Sequence, residues 1–150
     1  MAARIYDYVG AADDNLIKVW VLSLPKKYRA KVNAKVNLLA QYGDETLPGF
    51  VTPAVGSGTI KEIVIGGDRA LRLLLCRGPM DIGRNGATGK NGKTSPWAAP
   101  EYTLLFGAEE RDSRYVPHNA VRQAEARRQV ILKDPKRRVP HVHVGSADIE

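Results

Sequence analysis

The chain carries one cysteine, Cys76, so no internal disulfide can form. Set in the apolar run Leu73-Leu74-Leu75-Cys76, the thiol reads as a small buried hydrophobe and fits a reducing cytoplasm. No run approaches the ~18 consecutive apolar residues of a membrane span, and the N-terminus lacks the apolar stretch of a secretory signal. A cytoplasmic protein with no membrane partner is therefore predicted. Histidine is scarce as well: His118, His141 and His143 are the only three. His141 and His143 share a face of any strand they lie on, but a third ligand is hard to find, and neither a metal nor another cofactor is expected. Acidic residues are missing from Lys26 to Lys35, where Lys26, Lys27, Arg29, Lys31 and Lys35 stand together.

What is present outlines one globular domain over residues 1–150, with 43% hydrophobic and 26% charged residues. The net charge is +7 and the pI is near 9.7. A second basic cluster, Arg122, Arg127, Arg128, Lys133, Lys136, Arg137 and Arg138, is tempered only by Glu125 and Asp134. Two clusters of one sign favour an anionic partner, nucleic acid or an acidic protein that masks them, over a merely solvated face.

Periodicity orders the chain as β-α-α-β-β-β-α with a last edge strand. Arg4 to Val9 alternates as a strand. Asp13-Asp14-Asn15 offers helix-capping side chains, and Leu16, Trp20 and Leu24 follow at four-residue spacing up to Pro25. From Lys26 to Tyr42 the set Tyr28, Val32, Val36, Leu39 makes one apolar face, closed by Gly43. Asp44 to Gly58 reads as loop. Thr59–Ile65 and Ala70–Arg77 read as a hairpin about Gly66-Gly67-Asp68. Residues 78–100, with five glycines and three prolines, read as a flexible insertion. Tyr102 to Phe106 resumes the sheet, Pro117 to Ile131 is a helix, and a basic tail fills 133–150. The predicted class is α+β, with a helical hairpin and a C-terminal helix packed on an antiparallel sheet of about four strands.

Three motifs bear on chemistry. Ala87 to Thr94 satisfies the relaxed phosphate-loop pattern, but Ser95-Pro96 follows at once and no helix comes after it. Arg84, Lys90 and Lys93 there remain candidates for touching a nucleic-acid backbone. Arg72 stands among apolar neighbours on a central strand. It is either paired with a carboxylate such as Glu62 or aimed at a phosphate, which a guanidinium can grip with two hydrogen bonds. His141 or His143 suits general acid or base work if the tail reaches the sheet, and otherwise lies in a solvated tail.

In their order, these residues resemble the RelE/ParE toxin superfamily, and most closely its phage-derived HigB-like branch. Trp20, Leu24-Pro25 and Arg29-Ala30-Lys31-Val32 are similar to that branch's helix pair. Leu38-Leu39-Ala40 with Gly43 is similar to its helix ending. Ile60-Lys61-Glu62-Ile63, Leu71-Arg72-Leu73-Leu74 and Leu104-Leu105-Phe106-Gly107 are similar to its strands, followed by Pro117 and Ala124. The resemblance implies a toxin of a type II toxin–antitoxin system. Such a toxin is a metal-independent endoribonuclease that cleaves mRNA on the ribosome and is masked by a cognate antitoxin. It implies catalytic roles for Arg72, Arg111, Arg138 and His141, with Lys26, Lys27, Arg77, Arg127, Arg128 and His143 as RNA contacts. Two other readings stay open: a non-catalytic inhibitor of a nucleic-acid-handling enzyme, as in the ParE branch, or a phage accessory interaction protein.

Overall fold

A computed structural model describes residues 3–43, 51–54, 58–66, 70–79 and 100–143. Strand β1 (Arg4–Tyr8) leads to helices α1 (Leu16–Leu22) and α2 (Lys26–Tyr42). Four strands follow: β2 (Val51–Pro53), β3 (Lys61–Ile65), β4 (Leu71–Arg77) and β5 (Glu101–Arg111). The short strand β6 (Arg114–Val116) folds back on β5, and α3 (Ala120–Lys133), a 3-10 turn (Pro135–Arg137) and β7 (Arg138–Pro140) complete the chain.

The local chemistry accounts for these boundaries. Asn15 caps α1 by accepting a hydrogen bond from the Lys18 amide at 2.8 Å. Pro25 separates the two helices, and Gly43, at φ +75°, ends α2 in a backbone region that disfavours a side chain. On α2 the expected stripe Tyr28, Val32, Val36 and Leu39 is buried.

The strands form one sheet in the order β2-β3-β4-β5-β1-β7, with β6 paired to β5. It has seven strands rather than about four. It is mostly antiparallel, with β1 and β5 parallel. Helices α1 and α2 cover one face through Ile17, Val21, Val32 and Leu39 against Ile63, Leu73, Leu75 and Leu104. Helix α3 covers the other through Ala120, Ala124 and Ile131 against Leu74, Cys76, Leu105 and Ala108. A bulge in β5 lies between the pairs Leu75–Leu104 and Leu74–Phe106, so Leu105 and Phe106 both turn toward α3. Gly107 then faces α1, where a Cβ would stand 2.0 Å from Cδ2 of Trp20. The indole occupies the place of the missing side chain, which joins two residues far apart in the chain.

Several elements differ from the sequence reading. Strand β2 lies in the stretch read as loop, and β5 runs on to Arg111. Strand β6 has only three residues, too few for a period to register, and α3 starts at Ala120. Most of the insertion, 80–99, the phosphate-loop-like motif within it, the turn at 67–69 and the tail from 144 lie outside the described residues.

Candidate functional site

On the α3 side of the sheet, where the β5–β6 hairpin meets the start of α3, there is a cleft of about 310 Å³. Glu62, Glu110, Ser113, Arg114, Tyr115, His118 and Val121 line it. Strand alternation puts the two carboxylates there. Ile63 and Ile65 of β3 point into the α1–α2 core, so Glu62 points to the opposite face. Glu110 lies directly across the ladder from Tyr115.

Arg72 forms the floor of this arrangement. Its Nη2 donates to Oε1 of Glu110, its Nε lies 3.8 Å from Oε2 of Glu62, and its Nη1 donates to the Leu71 carbonyl at 3.1 Å. With its side chain only 13% exposed and two carboxylates against it, Arg72 is a paired residue. Of the two alternatives for this guanidinium, the pairing with Glu62 is the one found, and Glu110 joins it. Tyr115 donates its hydroxyl proton to Oε1 of Glu62, so both Glu62 oxygens are engaged. Glu110 is 38% exposed, and its Oε2 has no partner among the described residues. Arg114 and His118 are exposed and likewise have no hydrogen bond or ion pair among the described residues.

The turn that carries Arg114 is strained. Asp112 and Ser113 sit at φ +51° and +65°, where a two-residue hairpin turn favours glycine in the second place. A non-glycine residue in that region costs about 1 kcal/mol. Next to the turn, Arg111 and Arg114 face each other across the ladder, a like-charge pair that sheets avoid. Arg111 has one weak contact, Nη2 to Glu109 at 3.4 Å, and is 66% exposed.

The expected C-terminal partners of Arg72 lie elsewhere. His141 follows β7 at the far edge of the sheet. Its backbone amide donates to Ile5, and its Nδ1 lies 2.7 Å from Oδ1 of Asp7. Asn15 donates to the other Asp7 oxygen at 2.9 Å. The His141 side chain is 3% exposed, and its Nε2 is buried without a partner among the described residues. Strand β7 is three positions from β4, about 14 Å at ~4.8 Å per strand, and His141 stands over the α1–α2 face, opposite to Arg72. One phosphate cannot touch both. Arg138 is on the α3 face but at the same far edge. It is paired with Glu101 at 3.1 Å and stacked 3.9 Å above the Tyr6 ring. Of these four residues only Arg72 lies under the cleft: Arg111 shares the face of Glu109, and Arg138 and His141 fasten β7 to β1.

The candidate RNA contacts scatter similarly. Lys26 and Lys27 are exposed at the start of α2, on the face away from the cleft. Arg77 ends β4, and His143 is exposed with its ring 6.1 Å from that of His141. Arg127 is wedged between the rings of Tyr8 and Phe106, at 4.9 and 4.8 Å, and donates to the Leu105 carbonyl at 2.7 Å. Burial lowers its pKa against the opposing pull of Tyr8 and Asp14. Arg128 is tied to Glu125 at 2.9 Å. Arg127 is thus held by packing and Arg128 by an ion pair. From Leu16 to Gly43 the helical layer holds Lys18, Lys26, Lys27, Arg29, Lys31 and Lys35 and no acidic residue, with Lys18, Lys26, Lys27 and Lys31 exposed.

Sequence reasoning missed Glu110, Ser113, Arg114, Tyr115 and His118 as a group. The one local sign was the turn-forming pair Asp112-Ser113 between two arginines. Cys76 behaves as expected for a buried thiol, with burial pushing its pKa up to about 12. Among the described residues no three His, Cys, Asp or Glu side chains gather as a metal site requires, and no helix is long and apolar enough to cross a membrane. No protein-family model, curated protein or solved structure matches the chain.

Proposed function

We propose that this chain is a metal-independent endoribonuclease of the toxin type that its motifs resemble, cutting mRNA in the cleft beside the β5–β6 hairpin. The observation that carries this reading is the gathering of a carboxylate, an imidazole and an unpaired arginine around one opening. These are the groups that RNA transesterification uses. A ribose 2′-oxygen bonds to the adjacent phosphorus as its proton passes to Oε2 of Glu110. The bond from phosphorus to the 5′-oxygen breaks, and His118 gives that oxygen a proton. The products are a 2′,3′-cyclic phosphate and a free 5′-hydroxyl. Arg114 offsets the charge that builds on the phosphoryl oxygens. Arg72 is a positioning residue that orients both carboxylates, and Tyr115 holds Glu62 in place.

The helical layer supports a large anionic partner. Lys26 and Lys27 occupy the first turn of α2, where the helix dipole disfavours positive charge by about 0.3–1 kcal/mol per residue. Ribosomal RNA, or an acidic antitoxin, would offset that charge. Such partners fit a cytoplasmic protein.

The test is cleavage of a message by the purified chain, with and without ribosomes and with excess chelator. The expected result is cleavage that survives the chelator, stops at a 2′-deoxy position, and falls about 100-fold or more in Glu110→Gln and His118→Ala. Cleavage that is absent, or that persists undiminished in His118→Ala, would sink the proposal. The neutralisation of Arg72 by two carboxylates favours a second reading, a non-catalytic inhibitor of a nucleic-acid-handling enzyme or a phage accessory protein. Growth arrest that persists in both variants would select it.

A further inference from the structure

The cleft needs a source of positive charge for its substrate, and Arg72 does not supply it, because Glu62 and Glu110 already compensate it. The hairpin tip is where the structure spends stability in two ways at once. A serine holds a left-handed position that glycine fills without strain, and two arginines oppose each other across the ladder. Places where local rules are broken without a packing gain are where function is expected. Ser113 and Arg114 gain nothing from packing: both are exposed, both line the cleft, and Arg114 has no partner among the described residues.

We propose that Ser113 and Arg114 form a phosphate clamp that seats single-stranded RNA on the cleft. The clamp deepens the ribonuclease reading above and rests on the cleft being the RNA site. The turn conformation fixes the angle at which the Ser113 hydroxyl and the Arg114 guanidinium meet one phosphodiester, the hydroxyl donating one hydrogen bond and the guanidinium up to two. A cleft of about 310 Å³ is on the scale of one splayed nucleotide. The substrate class is therefore unpaired RNA, gripped by its backbone with little regard to base.

The probe is a short, fully 2′-O-methylated single-stranded RNA, which binds but lacks the nucleophile and cannot be cut. Its affinity is measured over a range of salt concentrations. Arg114→Ala should weaken binding about tenfold and reduce the slope of log affinity against log salt by about 0.7, the signature of one lost phosphate contact to a single strand. A residue with a merely structural role would not move that slope. Ser113→Gly should raise Tm by roughly 2–4 °C as strain is relieved, yet weaken binding about fivefold through loss of the hydroxyl. Asp112→Gly relieves the same kind of strain outside the cleft lining and should raise Tm with binding unchanged. An unchanged slope in Arg114→Ala, or wild-type affinity in Ser113→Gly, overturns the clamp. Equal weakening in Asp112→Gly also overturns it, because turn geometry would then explain the loss. Should the unmodified chain fail to cut RNA while the slope still falls in Arg114→Ala, the clamp stands and the nuclease reading is lost.

Discussion

At the β5–β6 end of the sheet, Arg72, Glu62 and Glu110 sit under an open cleft beside His118. At the β1–β7 edge, Asp7, Asn15 and His141 close over one another, and Arg138 meets Glu101. The two regions draw on the same side chains, an arginine, a histidine and carboxylates. They differ in what is left unsatisfied. The cleft keeps a carboxylate oxygen, an imidazole and a guanidinium available to solvent. The edge uses its groups to tie β7 to the first strand, and its unpaired atoms among the described residues, Arg138 Nη1 and His141 Nε2, are buried. Residue type alone does not distinguish a group left open to solvent from a fastening.

The contrast can be broken by mutation. The largest effect is expected for Asp7→Ala, which strands Asn15 and His141 in a buried site and should cost about 3 kcal/mol in urea unfolding. Glu110→Ala at the cleft should cost less than about 1 kcal/mol, because its carboxylate is substantially solvated. Equal losses would mean that the cleft is as structural as the edge. The two histidines should separate next. His141→Ala is expected to lose about 2 kcal/mol of stability and no activity per folded molecule. His118→Ala should stay within about 0.5 kcal/mol of the parent while lowering RNA cleavage about 100-fold or more.

Smaller effects sharpen the same contrast among the arginines. Arg127→Ala forfeits two ring contacts and a carbonyl hydrogen bond and should cost about 1–2 kcal/mol by thermal unfolding. Arg114→Ala should leave Tm unchanged. The smallest effect concerns Glu125, whose carboxyl burial disfavours as an ion. Hydrogen bonds from Gln129 and Thr59 and the charge of Arg128 outweigh that, and its pKa falls below the ordinary 4.5. The folded pKa is thus the lower one, so ionised Glu125 stabilises the fold above the unfolded value, and the benefit disappears as pH falls through the folded value. Glu125→Gln should flatten the acid limb of the stability–pH curve below about pH 4.5 and leave the neutral plateau little changed.

How much of this was legible in the sequence varied by region. The helix pair was legible because Tyr28, Val32, Val36 and Leu39 repeat at helical spacing over a 17-residue element. Strand β4 was legible as a run of apolar residues. Trp20 and Gly107 stood out as motif residues, and their contact supplies the physical reason for both. Strands β2 and β6, at three residues each, are held by pairing with longer neighbours, and no local period announces them. The cleft was hidden for the same reason, since Ser113, Arg114, Tyr115 and His118 lie on or beside β6. His141 was singled out for its chemistry, but its fate depends on Asp7, 134 residues away, and no spacing rule encodes that partnership.

The extra residue at Leu105 reaches further than its own packing. Beyond it the inward and outward sides of β5 exchange, and only that exchange sets Gly107 under the indole and turns Glu110 to the cleft. Had the same residues been paired in a regular ladder, the far half of the strand would be turned over, with Glu110 in the oily layer beneath α1 and Glu109 on the cleft side. Deleting Leu105 would do no such thing, because the two residues of the bulge already share one face. The irregularity, and not the identity of any side chain, decides which carboxylate meets solvent at the cleft.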